Sequence, residues 1–180
     1  MSDSVTGPTA ALFIGGRSGV GKSTVALEVH AQLSASEVRH CVIDGDALDM
    51  AYPPPWEHGL AEQNLAAMWS NYTALGYTRM IYTNTVSVLD RIIPTLTDAM
   101  GTAPDLTAIL LCCTDETAAA RLSRREIGTE LQIHLDRSRT MARVLADYAP
   151  ARVHRIWTDN RRIPDIAAEI IDLTGWQHQP

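Results

Sequence analysis

Lysine is almost absent from this 180-residue chain: of its fifteen basic residues only Lys22 is a lysine, and the others are arginines. Cysteine is also scarce. The three cysteines, at positions 41, 112 and 113, are too few for a disulfide framework, which favours a reducing, cytoplasmic location. No apolar run is long enough for a signal segment or a membrane span. The sequence therefore predicts neither a secreted nor a membrane protein.

Positive charge is in deficit, because fifteen basic residues face twenty-one acidic ones and leave a net charge of −6. Broad binding to nucleic acid or to an anionic membrane surface needs a basic face, so neither partner is expected. Hydrophobic residues make up 46% and charged residues 20% of the chain, which is typical of a globular protein. We expect one domain over residues 1–180, and the oligomeric state stays open.

The single lysine lies in a glycine-rich octapeptide from Gly16 to Ser23. It matches the pattern G-x-x-x-x-G-K-[ST], the P-loop that binds nucleotide phosphates. The apolar run Ala10 to Ile14 precedes it and predicts a buried strand, and Ser23 to Leu33 has helical spacing. Strand, loop and helix thus follow in the order that a P-loop requires. The alternative is a glycine-rich turn capped by Ser23.

The chemistry of phosphate binding explains the residue types in this octapeptide. Glycines allow backbone conformations in which successive N–H groups point at phosphate oxygens, and the helix N-terminus adds positive potential. Lys22 would contact the β- and γ-phosphates and assist catalysis, and the Ser23 hydroxyl would bind Mg²⁺. ATP and Mg²⁺ are therefore the expected cofactors. The predicted nucleotide contacts are Gly16, Ser18, Gly19, Val20, Gly21, Lys22, Ser23 and Thr24.

Short apolar runs alternate with helical patterns along the rest of the chain, which predicts an α/β fold with a parallel sheet. The predicted strands are 10–14, 38–44, 80–85, 106–113 and 153–157. The predicted helices are 23–33, 59–75, 87–100, 116–125, 133–148 and one from about Pro164. Ligands of such sheets bind beyond the carboxyl ends of the strands.

Two carboxylates, Asp44 and Asp46, follow the second predicted strand with one glycine between them. In phosphoryl transfer to an alcohol, a carboxylate orients the hydroxyl and accepts its proton. We assign that role to Asp46 and place Asp44 near the acceptor and near Mg²⁺ through water. Two alternatives stay open: either acid only caps the short helix that follows, or Asp44 shares the role of base.

These motifs resemble those of P-loop small-molecule kinases. The P-loop followed by Asp44-Gly-Asp46 is similar to adenylylsulfate and gluconate kinases, and the run from Asp46 to Pro53 is similar to chloramphenicol phosphotransferases. The second half resembles the tunicamycin resistance protein family at 120–128, 136–138, 157–160 and 165–170. The resemblance implies a three-layer P-loop NTPase fold with strand order 2-3-1-4-5, like nucleoside kinases with a short lid.

The same resemblance implies roles for three further residues. In these families the segment after strand four carries a lid, and arginines there close on the phosphates and neutralise charge in the transition state; the resemblance implies a lid at residues 126–132 and this role for Arg121 and Arg125. Asp159 falls in the loop that frames adenine. The alternative for the arginines is a solvated cationic face. GTP is disfavoured because the guanine-reading pattern N-K-x-D needs a lysine, and Lys22 already belongs to the P-loop.

Residues 49–77 lie where kinases of this class insert their acceptor-binding segment, and they are rich in aromatic side chains. Tyr52 and Trp56 are predicted to stack on a flat or sugar-like acceptor. For Trp69 the better interpretation is packing of a helix against the sheet. The sequence thus favours an ATP- and Mg²⁺-dependent phosphotransferase acting on a hydroxyl of an antibiotic, a nucleoside or a sugar-like molecule. The alternative is a non-catalytic ATP-binding protein that sequesters a drug or acts as a switch.

Overall fold

The computed structural model describes residues 8–124 and 131–178. Five strands form one parallel sheet: β1 (Ala10–Gly15), β2 (Cys41–Asp44), β3 (Arg79–Thr83), β4 (Asp105–Cys112) and β5 (His154–Trp157). Their spatial order is β2-β3-β1-β4-β5, so the predicted fold class and strand order are confirmed. Five helices of the described residues connect these strands: α1 (Lys22–Ala35), α2 (Leu60–Ala74), α3 (Ile93–Ala99), α4 (Asp115–Ser123) and α5 (Leu131–Tyr148). A sixth helix, α6 (Ile163–Thr174), follows β5.

Helices cover both faces of the sheet, and for this reason every residue of β1 is buried. Leu12 and Ile14 pack with apolar residues of α1 and α6, whereas Ala11 and Phe13 pack with residues of α2, α3 and α5 on the other face. Successive side chains of a strand point to opposite faces, so one continuous apolar run serves two cores. Trp69 of α2 is 2% exposed in the second core, as predicted.

The structure differs from the predicted helix 87–100, because α3 is helical only from Ile93 to Ala99. Pro94 lies in its first turn, where the missing N–H costs nothing. The preceding residues form turns closed by bonds between residues three apart, such as Leu89 N to Val86 O at 3.0 Å. Val88 is fully buried there, and a Cβ on Gly15 would lie only 2.6 Å from it. Val88 and Leu89 are therefore buried in turns that precede the helix, and the helix begins only at Ile93.

The remaining boundaries agree closely with the prediction, except around the proposed lid. Thr114 caps α4 by accepting a hydrogen bond from Thr117 N at 3.2 Å. Residues 125–130 lie outside the described part of the chain, so Arg125 and most of the predicted lid at 126–132 do too.

Within the described residues, no helix has the length and apolar character needed to cross a membrane.

A pair of histidines, His30 of α1 and His40 just before β2, makes stability depend on pH. His30 Nδ1 and His40 Nε2 are 2.9 Å apart, and His40 Nδ1 donates to Val38 O at 2.7 Å. Burial lowers the pKa of His40 below its ordinary value of 6.5, and the charges of His30 and Arg79 act in the same direction. The folded protein therefore disfavours the protonated form.

We expect the free energy of unfolding to fall as the pH drops below about 6.5, because the unfolded chain then binds a proton that folded His40 refuses. The loss should level off below the folded pKa, and its slope cannot exceed about 1.4 kcal/mol per pH unit for one group. Urea unfolding between pH 5 and 8 measures it. His40→Gln should lose this part of the slope, whereas His154→Gln, at an exposed position, should keep it; equal slopes in all three proteins would contradict the assignment.

Candidate active site

The P-loop lies between β1 and α1, where its backbone adopts conformations that favour glycine. Gly19 and Gly21 have φ of +85° and +102°, in the left-handed region. A Cβ at Gly16 would lie 2.8 Å from a Val20 methyl and 2.9 Å from the Leu111 carbonyl oxygen. These contacts leave no room for larger side chains, so the loop can keep the close backbone approach that a phosphate needs.

Lys22 is the first residue of α1 and is 9% exposed. Its Nζ donates to Gly16 O at 2.9 Å and to Thr85 Oγ1 at 3.3 Å. The ammonium group is thus held across the P-loop and linked to the end of β3. Ser23 and Thr24 follow on the first turn of α1 and are exposed, so their hydroxyls are accessible to a ligand at the helix N-terminus.

The two predicted acids lie together at the carboxyl end of β2. Asp44 pairs with Thr83 of β3, and its Oδ1 accepts hydrogen bonds from Thr83 Oγ1 at 3.2 Å and from Asp46 N at 3.1 Å. Asp44 therefore does cap the short 3-10 turn Gly45–Ala47, as the alternative interpretation held. Gly45 packs so closely on Tyr82 that a Cβ would lie 2.2 Å from its hydroxyl oxygen, which explains the glycine between the acids.

The carboxylate of Asp46 does not cap this turn. Its Oδ1 accepts from Asn84 Nδ2 at 2.8 Å, and the backbone of Thr85 also hydrogen bonds to it. Partial removal from water raises the pKa of Asp46 above its ordinary value, and the charge of Asp44 adds to the rise, while the charge of Lys22 opposes it. The carboxylate is therefore within electrostatic reach of the P-loop lysine and more basic than an isolated aspartate.

The structure places Arg121 beside the P-loop. Its Nη1 donates to Val20 O at 2.8 Å and to Thr158 Oγ1 at 3.0 Å, so the guanidinium joins the P-loop to the loop after β5. Arg121 therefore does not belong to a solvated cationic face, which was the alternative interpretation. These bonds go to protein groups, and a role of Arg121 in neutralising transition-state charge stays a prediction, as does that of Arg125.

Asp159 uses its side chain to tie two loops together. Its Oδ1 accepts from Thr117 Oγ1 at 2.5 Å and from Thr114 Oγ1 at 3.0 Å, and both oxygens lie near Thr114 N. Partial desolvation raises the pKa of Asp159, but the hydrogen bonds from Thr117 and Thr114 outweigh it and hold the pKa below its ordinary value. The carboxylate is thus occupied, and contact with a nucleotide base would come from the backbone.

A cavity of about 250 Å³ opens beside the P-loop, on the side where Arg121 lies. Its size suits the base and sugar of a nucleotide better than a complete nucleotide. The lining residues are Gly19, Gly21, Thr24, Arg121, Arg124 and Ile163. Four of these six are residues that the sequence analysis assigned to the nucleotide or to catalysis.

The predicted acceptor aromatics lie outside the cores. The side chains of Tyr52 and Trp56 are 98% and 75% exposed. They follow the acidic end of β2, in the segment that leads to α2. No contact between either side chain and Asp46 is described, so their role toward an acceptor stays a prediction.

Several residues of this region were missed by the sequence analysis. Asn84 and Thr85 directly follow β3, and the rule that ligands bind beyond the carboxyl ends of strands would have found them had it been applied to that strand. Arg17 was treated as a variable loop position. It is 5% exposed, its Nε donates to Ser138 Oγ of α5 at 2.8 Å, and it forms an ion pair with Asp115 of α4.

These contacts fasten the P-loop to two helices. Ser138 Oγ in turn donates to Ser18 O at 2.8 Å, so Ser18 is held through its carbonyl group. The hydrogen bond from Arg17 lowers the pKa of Asp115, which keeps the pair charged. No feature of the sequence signals a contact between residues 121 positions apart.

The donor set fits a magnesium nucleotide. Among the described residues no group of three or more His, Cys, Asp or Glu side chains could hold a metal by itself. Mg²⁺ in such sites is usually bound by one or two protein oxygens together with phosphate oxygens and water. The exposed Ser23 hydroxyl at a glycine cradle and the carboxylate of Asp44 are groups of this kind.

Comparison with known proteins agrees with this geometry. The family model for adenylylsulphate kinase matches residues 8–53, which contain the P-loop and both acids. No curated protein sequence matches the chain significantly. Among solved structures, an APS kinase from Mycobacterium tuberculosis in complex with AMPPNP and APS is 20% identical, with a TM-score of 0.59 over 92% of this chain and 97% of that chain.

Two further structures cover the chain to a similar extent. The tunicamycin resistance protein of Deinococcus radiodurans is 18% identical, with a TM-score of 0.63 over 93% of this chain and 96% of its own. A gluconokinase from Sinorhizobium meliloti is 17% identical, with a TM-score of 0.60 over 92% and 91%. At these identities the likeness shows the fold. The predicted resemblance is thus confirmed, and the chain has the fold of the P-loop small-molecule kinases.

Proposed function

We propose that the protein transfers the γ-phosphoryl group of ATP to a hydroxyl group of a small molecule. The observation that carries the proposal is the placement of the Asp46 carboxylate beside Lys22: Asn84 bonds to Asp46, and the next residue, Thr85, bonds to Lys22 Nζ. A P-loop lysine needs no such acid to bind ATP. An acid at this position is what transfer to an alcohol requires.

In this reaction the acceptor oxygen forms a bond to the γ-phosphorus, and the bond from that phosphorus to the β,γ-bridging oxygen breaks. ADP leaves, and the hydroxyl proton passes to Asp46. The raised pKa of Asp46 supports this role, because a more basic carboxylate takes a proton more readily at neutral pH. Lys22 stabilises charge on the phosphates. Bound Mg²⁺ would neutralise further phosphate charge, with Ser23 and Asp44 as the groups on this chain that would hold it.

The nucleotide is proposed to bind with its phosphates on the P-loop and its base and sugar in the 250 Å³ cavity beside Arg121. Arg121 contacts the P-loop carbonyl of Val20 and would border the phosphate chain. The backbone around Asp159 would frame the base. Tyr52 and Trp56 would cover the acceptor, which their high exposure permits.

The acidic residues of the segment proposed to bind the acceptor favour a substrate without negative charge. Between Arg39 and Arg79 the sequence has no lysine or arginine, and it has five acids: Asp44, Asp46, Asp49, Glu57 and Glu62. A carboxylate about 4 Å from an anionic acceptor would cost about 1 to 4 kcal/mol of binding, depending on solvent access. APS, which the Mycobacterium tuberculosis structure contains, is an anion. We therefore expect a neutral or amine-bearing hydroxyl compound here.

A screen for ADP release tests this proposal. Purified protein with Mg·ATP is mixed with neutral nucleosides, sugars, amino sugars and antibiotics, and with carboxylated or sulfated hydroxyl compounds. We expect phosphorylated product, identified by mass spectrometry, only from uncharged or cationic acceptors and not with Lys22→Ala. An anionic compound as the best acceptor would contradict the charge argument. A compound that binds in calorimetry without ADP release would support the alternative of a sequestering ATP-binding protein.

A further inference from the structure

Asn84 directly follows β3, and both polar ends of its side-chain amide form hydrogen bonds. Asn84 Nδ2 donates to Asp46 Oδ1 at 2.8 Å, while Asn84 Oδ1 accepts from Val86 N at 2.9 Å. Its backbone N–H also bonds to Ile14 O of β1 at 3.3 Å. Because Val86 N can only donate, the amide orientation is determined, and the NH₂ group must face Asp46.

The next residue contacts the other side of the site. Thr85 Oγ1 accepts from Lys22 Nζ at 3.3 Å, and Thr85 O accepts from Gly16 N at 3.2 Å. The Thr85 backbone also hydrogen bonds to the carboxylate of Asp46. Two consecutive residues therefore connect the proposed base, the P-loop lysine and the first glycine of the P-loop.

We propose that Asn84 is a positioning residue, which fixes the carboxylate of Asp46 relative to Lys22 and thereby to the γ-phosphate. The inference rests on the proposed function for its catalytic meaning. Asn84 donates to Oδ1 of Asp46, and because an ionised carboxylate has about four acceptor sites, the group can still accept a bond from the substrate hydroxyl. Without this bond the Asp46 side chain can rotate among its rotamers, and the reacting groups lose their alignment.

A purely local role for Asn84 makes a different prediction. Its Oδ1 bond to Val86 N closes a turn of the kind that asparagine and aspartate both form. Asn84→Asp keeps that acceptor but loses the NH₂ donor and turns a carboxylate toward Asp46. The variant therefore removes the positioning contact while preserving the turn, whereas Asn84→Ala removes both.

The decisive experiment measures the rotamer of Asp46 directly and needs no acceptor. In labelled protein, three-bond couplings to Asp46 Cγ report whether χ1 populates one rotamer or several. We expect one rotamer in the wild type and averaged couplings in Asn84→Asp and Asn84→Ala. The control Asn71→Asp makes the same charge change at an exposed position on α2 and should leave the couplings unchanged. A single rotamer retained in both Asn84 variants would overturn the inference.

A reciprocal measurement covers the case in which the Asn84 variants fold poorly. In Asp46→Ala the side-chain amide protons of Asn84 should shift upfield and exchange faster than in the wild type, because their acceptor is gone. Unchanged amide signals would show that the contact is not formed in solution and would refute the positioning role.

Kinetics then connect the contact to catalysis. With the acceptor identified by the screen, or with water as acceptor in slow ATP hydrolysis, Asn84→Asp should lower kcat by about 10- to 100-fold with little change in KM for ATP. Averaged couplings together with an unchanged kcat would support the positioning role of Asn84 but contradict the role of Asp46 as general base. Asn84 would then order Asp46, but Asp46 would not be the base. Reduced kcat with unchanged couplings would contradict positioning by Asn84.

Discussion

Replacing Lys22 with alanine should abolish measurable phosphotransfer and weaken ATP binding by at least about 100-fold. That factor corresponds to about 2.7 kcal/mol, within the range of charge-assisted hydrogen bonds to phosphate. The loss is expected to be severe because the chain has no other lysine, and because the Lys22 ammonium group is held in place by Gly16 O and Thr85 Oγ1. Calorimetric titration with Mg·ATP measures the dissociation constant.

The control for Lys22→Ala is Arg152→Ala, which removes one positive charge from an exposed ion pair with Asp90. It should bind ATP as the wild type does. Melting temperatures of both variants separate loss of binding from loss of folding. An ATP dissociation constant for Lys22→Ala within a factor of three of the wild type would refute the assignment of this loop to phosphate binding.

Replacing Asp46 with asparagine should lower kcat by at least about 100-fold while ATP affinity changes little. The carboxamide keeps the shape of the side chain, and its oxygen can still accept the hydrogen bond from Asn84. It cannot accept the hydroxyl proton, and it lacks the charge that aligns the nucleophile. The measurements are steady-state rates with the acceptor from the screen and calorimetric titration with Mg·ATP.

Three outcomes for Asp46→Asn have different meanings. Loss of kcat alone supports the general base. Loss of Mg·ATP affinity together with kcat would instead identify a metal ligand, and neither loss would exclude Asp46 from the chemistry. Asp49→Asn is the matched control, because it makes the same charge change on a neighbouring acid that adds to the raised pKa of Asp46. It should retain most of the activity.

Asp44 and Asp46 illustrate what the local sequence can predict and what it leaves open. Their spacing predicted acids at the carboxyl end of the second strand, and the structure places both there. The sequence left open which acid caps the turn, because either side chain can reach a backbone N–H two or three residues ahead. The structure decides it for this turn: Asp44 accepts from Asp46 N, and Asp46 is turned toward Asn84 and Lys22.

The sequence by itself predicted the α/β fold class and the strand–loop–helix order of the P-loop, whereas the strand order 2-3-1-4-5 came from the resemblance to P-loop kinases. A buried strand, a glycine loop and a helix must be consecutive to form a P-loop, so local order along the chain carries the information. Helix boundaries that depend on tertiary packing were harder to predict from the sequence. Residues 87–92 have helical spacing, yet they form turns, and Val88 among them is buried against Gly15 at the end of β1.

Only the tertiary structure decided which side chains from distant segments complete the site. Arg17 reaches Ser138 across 121 positions, Arg121 bonds to the P-loop carbonyl of Val20 and to Thr158, and Asn84 reaches Asp46 across 38. Such contacts depend on how helices and strand ends pack around the sheet, and no local pattern encodes a distance between two remote residues. The P-loop could therefore be recognised from eight consecutive residues, whereas the groups that hold and orient it became visible only in the fold.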